Sequence, residues 1–213
     1  MIINIKVKIC GITNLDDAQA AFELGADMLG FNFYPQSPRY IKPEEAIKII
    51  RKLPTFVDSV GLFVNAPIEE IRDVAETGYL SWVQLHGDET PEFCDNVRFS
   101  NIRTIKAIRV KTEEDVHATQ EYYTYAVLLD AFSSKRYGGT GIQFNWEWAK
   151  NLPKRIFLAG GITPENVEQA IRTGVYGIDI CSGIESAPGV KDHEKMKRLF
   201  EMIRRTTGLK AAR

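Results

Sequence analysis

The chain has 213 residues, 44% hydrophobic and 26% charged, a composition that suits one large or two small globular domains with a full apolar core. Lys+Arg 27 against Asp+Glu 28 leaves a formal charge of -1, without the basic excess that nucleic-acid binding needs. No run of about 18 uncharged apolar residues is present to make a transmembrane helix, and Met1–Cys10 interleaves lysines with β-branched residues rather than forming a signal peptide.

The first strand signal is Lys6–Cys10, followed by Thr13-Asn14 ahead of Asp16-Asp17, a side-chain helix cap. Gly25 marks that helix's end, and a second strand is expected over Met28–Phe33. Pro43 before Glu44-Glu45 opens another helix, since proline fits the first turn and carboxylates suit its positive dipole end. Ser59–Val64 is the third strand, and Pro67 with Glu69-Glu70 the next helix start, closed by Gly78. Ser81–His86, then Pro91 with Glu92, then Ile102–Ile108 repeat the alternation. Thr112 before Glu113-Glu114 caps a helix ahead of Tyr125–Asp130. Arg155–Ala159, a helix opened by Pro164-Glu165 and closed by Gly174, and the strand Gly177–Cys181 complete the series.

The strands carry few internal charges, as expected when both faces are buried. Eight strands alternating with seven or eight helices, spaced by roughly 20–31 residues, predict a single-domain (β/α)8 TIM barrel over residues 1–213, with the last ~8 residues a loose tail. A doubly wound open sheet is the alternative. It usually has five or six strands, and no G-x-G-x-x-G follows the first strand here.

In a (β/α)8 barrel the active-site face is formed by the C-terminal ends of the strands and the loops after them. Lys8, Cys10, Gln84, His86, Asp130 and Asp179 stand at such ends, and Ser37-Pro38-Arg39 follows strand 2. Gly160-Gly161 and Ser182-Gly183 after strands 7 and 8 can bring backbone N–H groups close to an anion, so a phosphate site is expected there. Arg39 offers a planar fork for a carboxylate, or is a solvated loop charge. Cys10 is a small buried hydrophobe or, beside the Lys8 cation, a base or nucleophile. Asp130 caps a helix or, ending the apolar run Ala126–Leu129, sits where the protonated form needed by a general acid is favoured. Strands 1 and 6 stand on opposed sides of an eight-strand ring, so the two could flank a substrate. Ser133–Gly141 is long and glycine-rich, with the features of a lid or of an idle loop.

Three widely spaced cysteines, Cys10, Cys94 and Cys181, with no C-x-x-C pair, argue against a disulfide framework or zinc site. His86 has no histidine or carboxylate at ligand spacing, and His117 and His193 fall in helices, so no metal site is expected. A reduced, cytoplasmic protein is expected.

Lys8-Ile-Cys-Gly-Ile-Thr13, Gly30-Phe-Asn-Phe with Ser37-Pro-Arg39, Val60-Gly-Leu-Phe-Val64 and Val83-Gln-Leu-His-Gly-Asp-Glu89 occur in that order. They are followed by Leu129-Asp-Ala131, Gly138-Gly-Thr-Gly141 with Phe144-Asn-Trp146, Leu158-Ala-Gly-Gly-Ile162, Asp179-Ile-Cys-Ser-Gly-Ile-Glu-Ser186 and Pro188-Gly-Val-Lys-Asp192. Through this ordered set the chain, roughly from Lys8 to Asp192, resembles the phosphoribosylanthranilate isomerases. The resemblance implies the Amadori rearrangement of tryptophan biosynthesis, with Cys10 as general base, Asp130 as general acid and Arg39 holding the anthranilate carboxylate. It implies no cofactor and no metal, a small phosphosugar-anthranilate substrate, no nucleic-acid or membrane partner, and a monomer or homodimer. Asn145, where Asp commonly precedes the tryptophan, and Cys181, where Ser or Asn is commoner, depart from the pattern.

Two other readings are carried. A related phosphosugar barrel shares the phosphate cradle, but an epimerase needs paired His/Asp metal ligands at strand ends, and an indole-glycerol-phosphate synthase needs a Lys/Glu set that Lys106 alone does not supply. A catalytically dead scaffold barrel keeps the glycines and loses the acid or base, whereas both are present here.

Overall fold

The computed structural model describes residues 4–97, 99, 102–132, 138, 141 and 143–208. Eight parallel strands pair in chain order: β1 (Lys6–Cys10), β2 (Met28–Asn32), β3 (Asp58–Phe63), β4 (Trp82–Leu85), β5 (Arg103–Val110), β6 (Ala126–Ala131), β7 (Ile156–Leu158) and β8 (Gly177–Ile180). β8 pairs back onto β1, so the sheet closes into a barrel. The helices are α1 (Leu15–Leu24), α2 (Pro43–Ile50), α3 (Ile68–Ala75), α4 (Pro91–Asn96), α5 (Glu113–His117), α6 (Val167–Arg172) and α7 (His193–Thr207). Between β6 and β7 the described residues hold only a 3-10 turn at Trp146–Ala149. A short antiparallel ribbon, β9 (Glu185–Ala187) with β10 (Val190–Lys191), follows β8.

The punctuation works largely as the residues dictate. Asn14 caps α1 by accepting from the Asp17 backbone N–H, and Gly25 closes it in the left-handed conformation at φ 113°, which a side chain resists. Pro43 and Pro91 occupy first helical turns. Two helix starts differ. Pro67 is the residue before α3, and α6 starts at Val167 rather than at Pro164. There Asn166 Oδ1 accepts from Thr163 N–H and Thr163 Oγ1 from Glu165 N–H, so these local bonds hold 163–166 as a separate turn. The C-terminal helix runs through Thr207 to a left-handed Gly208, two residues into the expected tail, because Met196, Leu199, Phe200 and Ile203 all pack on the core.

The period-two alternation of each strand decides which residues face the barrel's interior. Val7 and Ile9 of β1, Val83 and Leu85 of β4, Val127 and Leu129 of β6 and Ile178 and Ile180 of β8 join the core between sheet and helices. Their alternates point inward. At the lower end these are apolar, including Met28, Val60, Trp82, Ile105, Leu128 and Phe157. Higher up they are Lys8, Cys10, Gln84, His86, Asp130 and Asp179, all buried. Burying one large apolar side chain is worth about 1.5–3 kcal/mol, whereas charge in the interior costs unless paired. The polar upper layer is therefore where the barrel gives up stabilisation to hold reactive groups.

Candidate active site at the barrel mouth

Lys8 Nζ donates to Asp179 Oδ1 at 2.9 Å across neighbouring β1 and β8. Burial opposes the Lys8 charge, but Asp179 and Cys10 overcome this and hold its pKa above that of an ordinary lysine. Burial raises the Asp179 carboxyl to about 7, with Lys8 pulling the other way. Gly30 of β2 makes room for both Lys8 and Cys10, since a Cβ there would lie 2.9 Å from Cys10 Sγ and 3.0 Å from Lys8 Nζ. The Cys10 thiol is held well below the usual thiol range, first by a hydrogen bond with the Cys181 side chain and then, against the burial penalty, by Lys8 and Lys191. Cys181 moves the opposite way through that same bond and its burial.

From the other side of the mouth, Asp130 Oδ1 accepts from Ala131 N–H at 2.9 Å, while Oδ2 lies 3.4 Å from His86 Nε2. His86 Nδ1 is 2.8 Å from Gln84 Nε2. No carboxylate at ligand spacing to His86 is visible in the sequence, but the fold brings Asp130 to it from β6. Gly138 lies over this pair, where a Cβ would stand 3.1 Å from both Asp130 Oδ2 and His86 Cε1.

Arg39 is not a solvated loop charge. Its Nε meets both Glu185 oxygens at 2.9 and 3.1 Å and its Nη2 meets Oε2 at 2.6 Å, in buried surroundings. The loop after β2 is shaped by Ser37, whose Oγ accepts from Asn32 Nδ2 and from the Arg39 backbone N–H. Burial disfavours the Glu185 carboxylate, but Arg39 and Lys191 outweigh it and lower its pKa. Lys191 Nζ donates to Glu185 Oε1 at 2.9 Å and to the Cys10 carbonyl at 2.6 Å, so the β9–β10 ribbon is pinned to the end of β1.

The loops after β7 and β8 meet closely. A Cβ on Gly183 would lie 1.9 Å from the Ile162 carbonyl oxygen, so only glycine allows the two backbones this approach. Gly160 and Gly161 both have positive φ, and Gly161 O accepts from Asn166 Nδ2, which fixes the loop to the start of α6. Gly141 stands above Ser182, its Cβ position 3.8 Å from Ser182 Oγ.

These groups line one cavity of about 280 Å³, with Cys10, Arg39, His86, Asp130, Asp179, Cys181, Gly138, Gly141, Gly160, Gly161, Ser182 and Gly183 in its wall. Lys8 and Gln84 are fully buried behind that wall and act on the residues that form it. In the closed ring β1 and β6 are separated by β7 and β8, so Cys10 and Asp130 flank the cavity obliquely rather than from diametrically opposed strands. Sequence reasoning gave no role to the Glu185 and Lys191 side chains and marked Cys181 only as a departure within the loop after strand 8. Their signal was present only as letters within the quoted strings around residues 179–186 and 188–192. Of the expected lid, Ser133–Tyr137, Gly139 and Thr140 lie outside the described residues. Among the described residues, no group of three or more His, Cys, Asp or Glu could hold a metal ion.

The sequence profile described as N-(5'phosphoribosyl)anthranilate (PRA) isomerase matches residues 7–202. The N-(5'-phosphoribosyl)anthranilate isomerase of Geotalea uraniireducens (strain Rf4) is 52% identical over 207 residues, covering 96% of this chain and 99% of its own. The crystal structure of phosphoribosyl anthranilate isomerase from Thermus thermophilus is 42% identical with a TM-score of 0.87, covering 94% of this chain and 99% of that one. Another solved isomerase is 41% identical with a TM-score of 0.83, over 94% of this chain and 99% of its own, and is in complex with reduced 1-(o-carboxyphenylamino)-1-deoxyribulose 5-phosphate. With the barrel, its mouth and these matches in agreement, the chain belongs to the N-(5'-phosphoribosyl)anthranilate isomerase family.

Proposed function

We propose that this chain carries out the family's isomerisation with Cys10 as general base and Asp130 as general acid. The reaction converts N-(5'-phosphoribosyl)anthranilate to 1-(2-carboxyphenylamino)-1-deoxyribulose 5-phosphate in tryptophan biosynthesis. Asp130 donates a proton to the furanose oxygen as the ring opens, and Cys10 then takes the proton from C2′, giving an enol that tautomerises to the ketose. The observation that carries this reading is that Cys10 and Asp130 line one cavity from β1 and β6, with the Cys10 thiolate favoured by its neighbours.

The binding groups follow from the substrate's two anions. Gly160, Gly161, Ser182 and Gly183 receive the phosphate on backbone N–H groups where the β7 and β8 loops converge. Arg39 receives the anthranilate carboxylate. Glu185 holds its Nε and Nη2, which leaves Nη1 without a protein partner among the described residues. The synthase reading is disfavoured because Lys106 is buried outside the cavity wall, donating to Glu89 Oε2 and Gly87 O at 2.7 Å each. The enzyme acts in the cytoplasm as a monomer or homodimer, states that light scattering distinguishes.

A turnover assay with phosphoribosylanthranilate, followed by loss of its fluorescence, tests the reading. Asp130→Asn and Cys10→Ser are each expected to lower kcat about 10²–10⁴-fold, the usual loss for a positioned acid or base, with little change in KM. A near-wild-type kcat in either variant makes that residue structural and passes its role to another strand-end group, Asp179 first.

A further inference from the structure

We propose that Cys10 and Cys181 form a peroxide-reactive dithiol site, in which Cys10 is oxidised and Cys181 closes a reversible disulfide onto it. The register of β1 and β8 carries the proposal. Lys8 pairs with Asp179 and Ile9 with Ile180, so Cys10, the last residue of β1, and Cys181, the first residue after β8, stand at adjoining strand ends. Neighbouring strands run about 4.7–4.9 Å apart, within the roughly 4.4–6.8 Å between Cα atoms that a disulfide spans. Both residues follow the same alternation as Lys8 and Asp179, and both line the cavity. A small peroxide entering the cavity therefore meets both sulfurs.

The surroundings favour the anionic sulfur that such chemistry requires. Lys191 Nζ touches the Cys10 carbonyl at 2.6 Å and lies 3.9 Å from Cys181 Sγ, while Arg39 and Lys8 add positive charge nearby. Two carboxylates face the pair and both are held by cations: Glu185 Oε1, 3.8 Å from Cys181 Sγ, by Arg39 and Lys191, and Asp179 by Lys8. Cys94 is the internal contrast. It is buried in α4 and its thiol is pushed up to about 11 by desolvation, so it stays inert.

The chemistry balances with a hydroperoxide as oxidant. The Cys10 thiolate attacks one peroxide oxygen; the O–O bond breaks, a sulfenic S–O bond forms, and the other oxygen leaves as hydroxide or alkoxide. Sulfur has then lost two electrons and the peroxide has gained them. Cys181 attacks the Cys10 sulfur; the S–S bond forms, the S–O bond breaks, and the leaving hydroxide takes the Cys181 proton as water. A Cys10 held in a disulfide cannot accept a proton from C2′, so turnover stops until a dithiol reductant restores both thiols. That last consequence rests on the base assignment above; the disulfide itself does not.

The test is to treat the reduced, purified chain with hydrogen peroxide, alkylate the remaining thiols, digest it and read the peptides by mass spectrometry. The Cys10 and Cys181 peptides should be joined, the joined species should vanish on dithiothreitol, and the activity lost should match the joined fraction. Cys181→Ser should give no joined peptide and instead accumulate a Cys10 sulfenic acid trapped by a 1,3-diketone, whereas Cys94→Ser should still cross-link. Wild type that stops at sulfenic or sulfinic acid without the joined peptide overturns the proposal, as does a cross-link through Cys94. A joined peptide with activity intact upholds the dithiol site and refutes Cys10 as base, so the two readings fail separately.

Discussion

His86 Nε2 lies 3.4 Å from Asp130 Oδ2, and on its far side the same ring meets Gln84 Nε2 at 2.8 Å through Nδ1. An amide N–H donating to Nδ1 makes that nitrogen the acceptor, which puts the proton of a neutral ring on Nε2, aimed at Asp130. The contact is longer than a good hydrogen bond and has room to tighten when substrate enters. Gln84 and His86 thus position the carboxyl proposed as the acid.

From this arrangement, Gln84→Leu should lower kcat with KM little changed, by less than the about 10²–10⁴-fold expected for Asp130→Asn. Among the described residues Gln84 Oε1 has no partner, so leucine removes little besides the bond to His86. Steady-state kinetics decide the matter, and a variant with wild-type kcat makes the Gln84–His86 contact a packing feature only.

The bidentate Arg39–Glu185 pair predicts a coupled loss. Arg39→Met should raise KM and also lower stability, because a buried carboxylate stripped of a partner costs about 3–5 kcal/mol when nothing compensates, and here Lys191 compensates in part. Arg39→Met with Glu185→Gln strips the buried Lys191 of its carboxylate as well, so it should recover little of the stability, read by urea unfolding, while KM stays high. If the double variant binds substrate as the wild type does, Arg39 serves only to hold the β9–β10 ribbon.

At the phosphate loops, Ser182→Asp adds a like charge without touching the close backbone contact and should raise KM strongly while the barrel stays folded. Gly183→Ala, by contrast, should destabilise as well as weaken binding, since its Cβ falls 1.9 Å from Ile162 O. Thermal melts with and without inorganic phosphate separate the two effects. Equal stabilisation of wild type and Ser182→Asp by phosphate moves the anion site elsewhere.

The barrel was legible because its signals are local. Alternating buried runs, proline and acidic helix starts, and glycine helix ends each report on a few neighbouring residues, and β1 falls on the expected Lys6–Cys10. The strand-end rule likewise named Lys8, His86, Asp130 and Asp179 before their partners were visible. What escaped were pairings between residues far apart in the chain. Arg39 with Glu185, Lys191 with the Cys10 carbonyl and His86 with Asp130 are brought together only by barrel closure and by the ribbon after β8. Period and punctuation carry no information on such distances, so Arg39 read equally well as a free surface cation.

The sharpest test of the electrostatics is that two touching residues should shift the pH profile in opposite directions. Cys10 must be a thiolate to take the proton, and Cys181, Lys8 and Lys191 hold its titration well below the usual thiol range, so the ascending limb of kcat/KM should fall there too. Lys8→Met removes one of those cations and should move the limb to higher pH. Asp179→Asn removes the carboxylate that shares the Lys8 charge and disfavours a second anion beside Cys10, so it should move the limb lower. Asp179 also leaves a mark on stability. Its pKa rises from about 3.9 in an unfolded chain to about 7 in the fold. The native state therefore holds that proton more tightly, and the stabilisation is complete below about pH 4 and lost as pH climbs through about 7. Urea unfolding across this window should show a decline in wild type that Asp179→Asn lacks. Should both variants move the kinetic limb the same way, or neither move it, the Lys8–Asp179 pair does not tune Cys10, and the thiolate would depend on Cys181 and Lys191 alone.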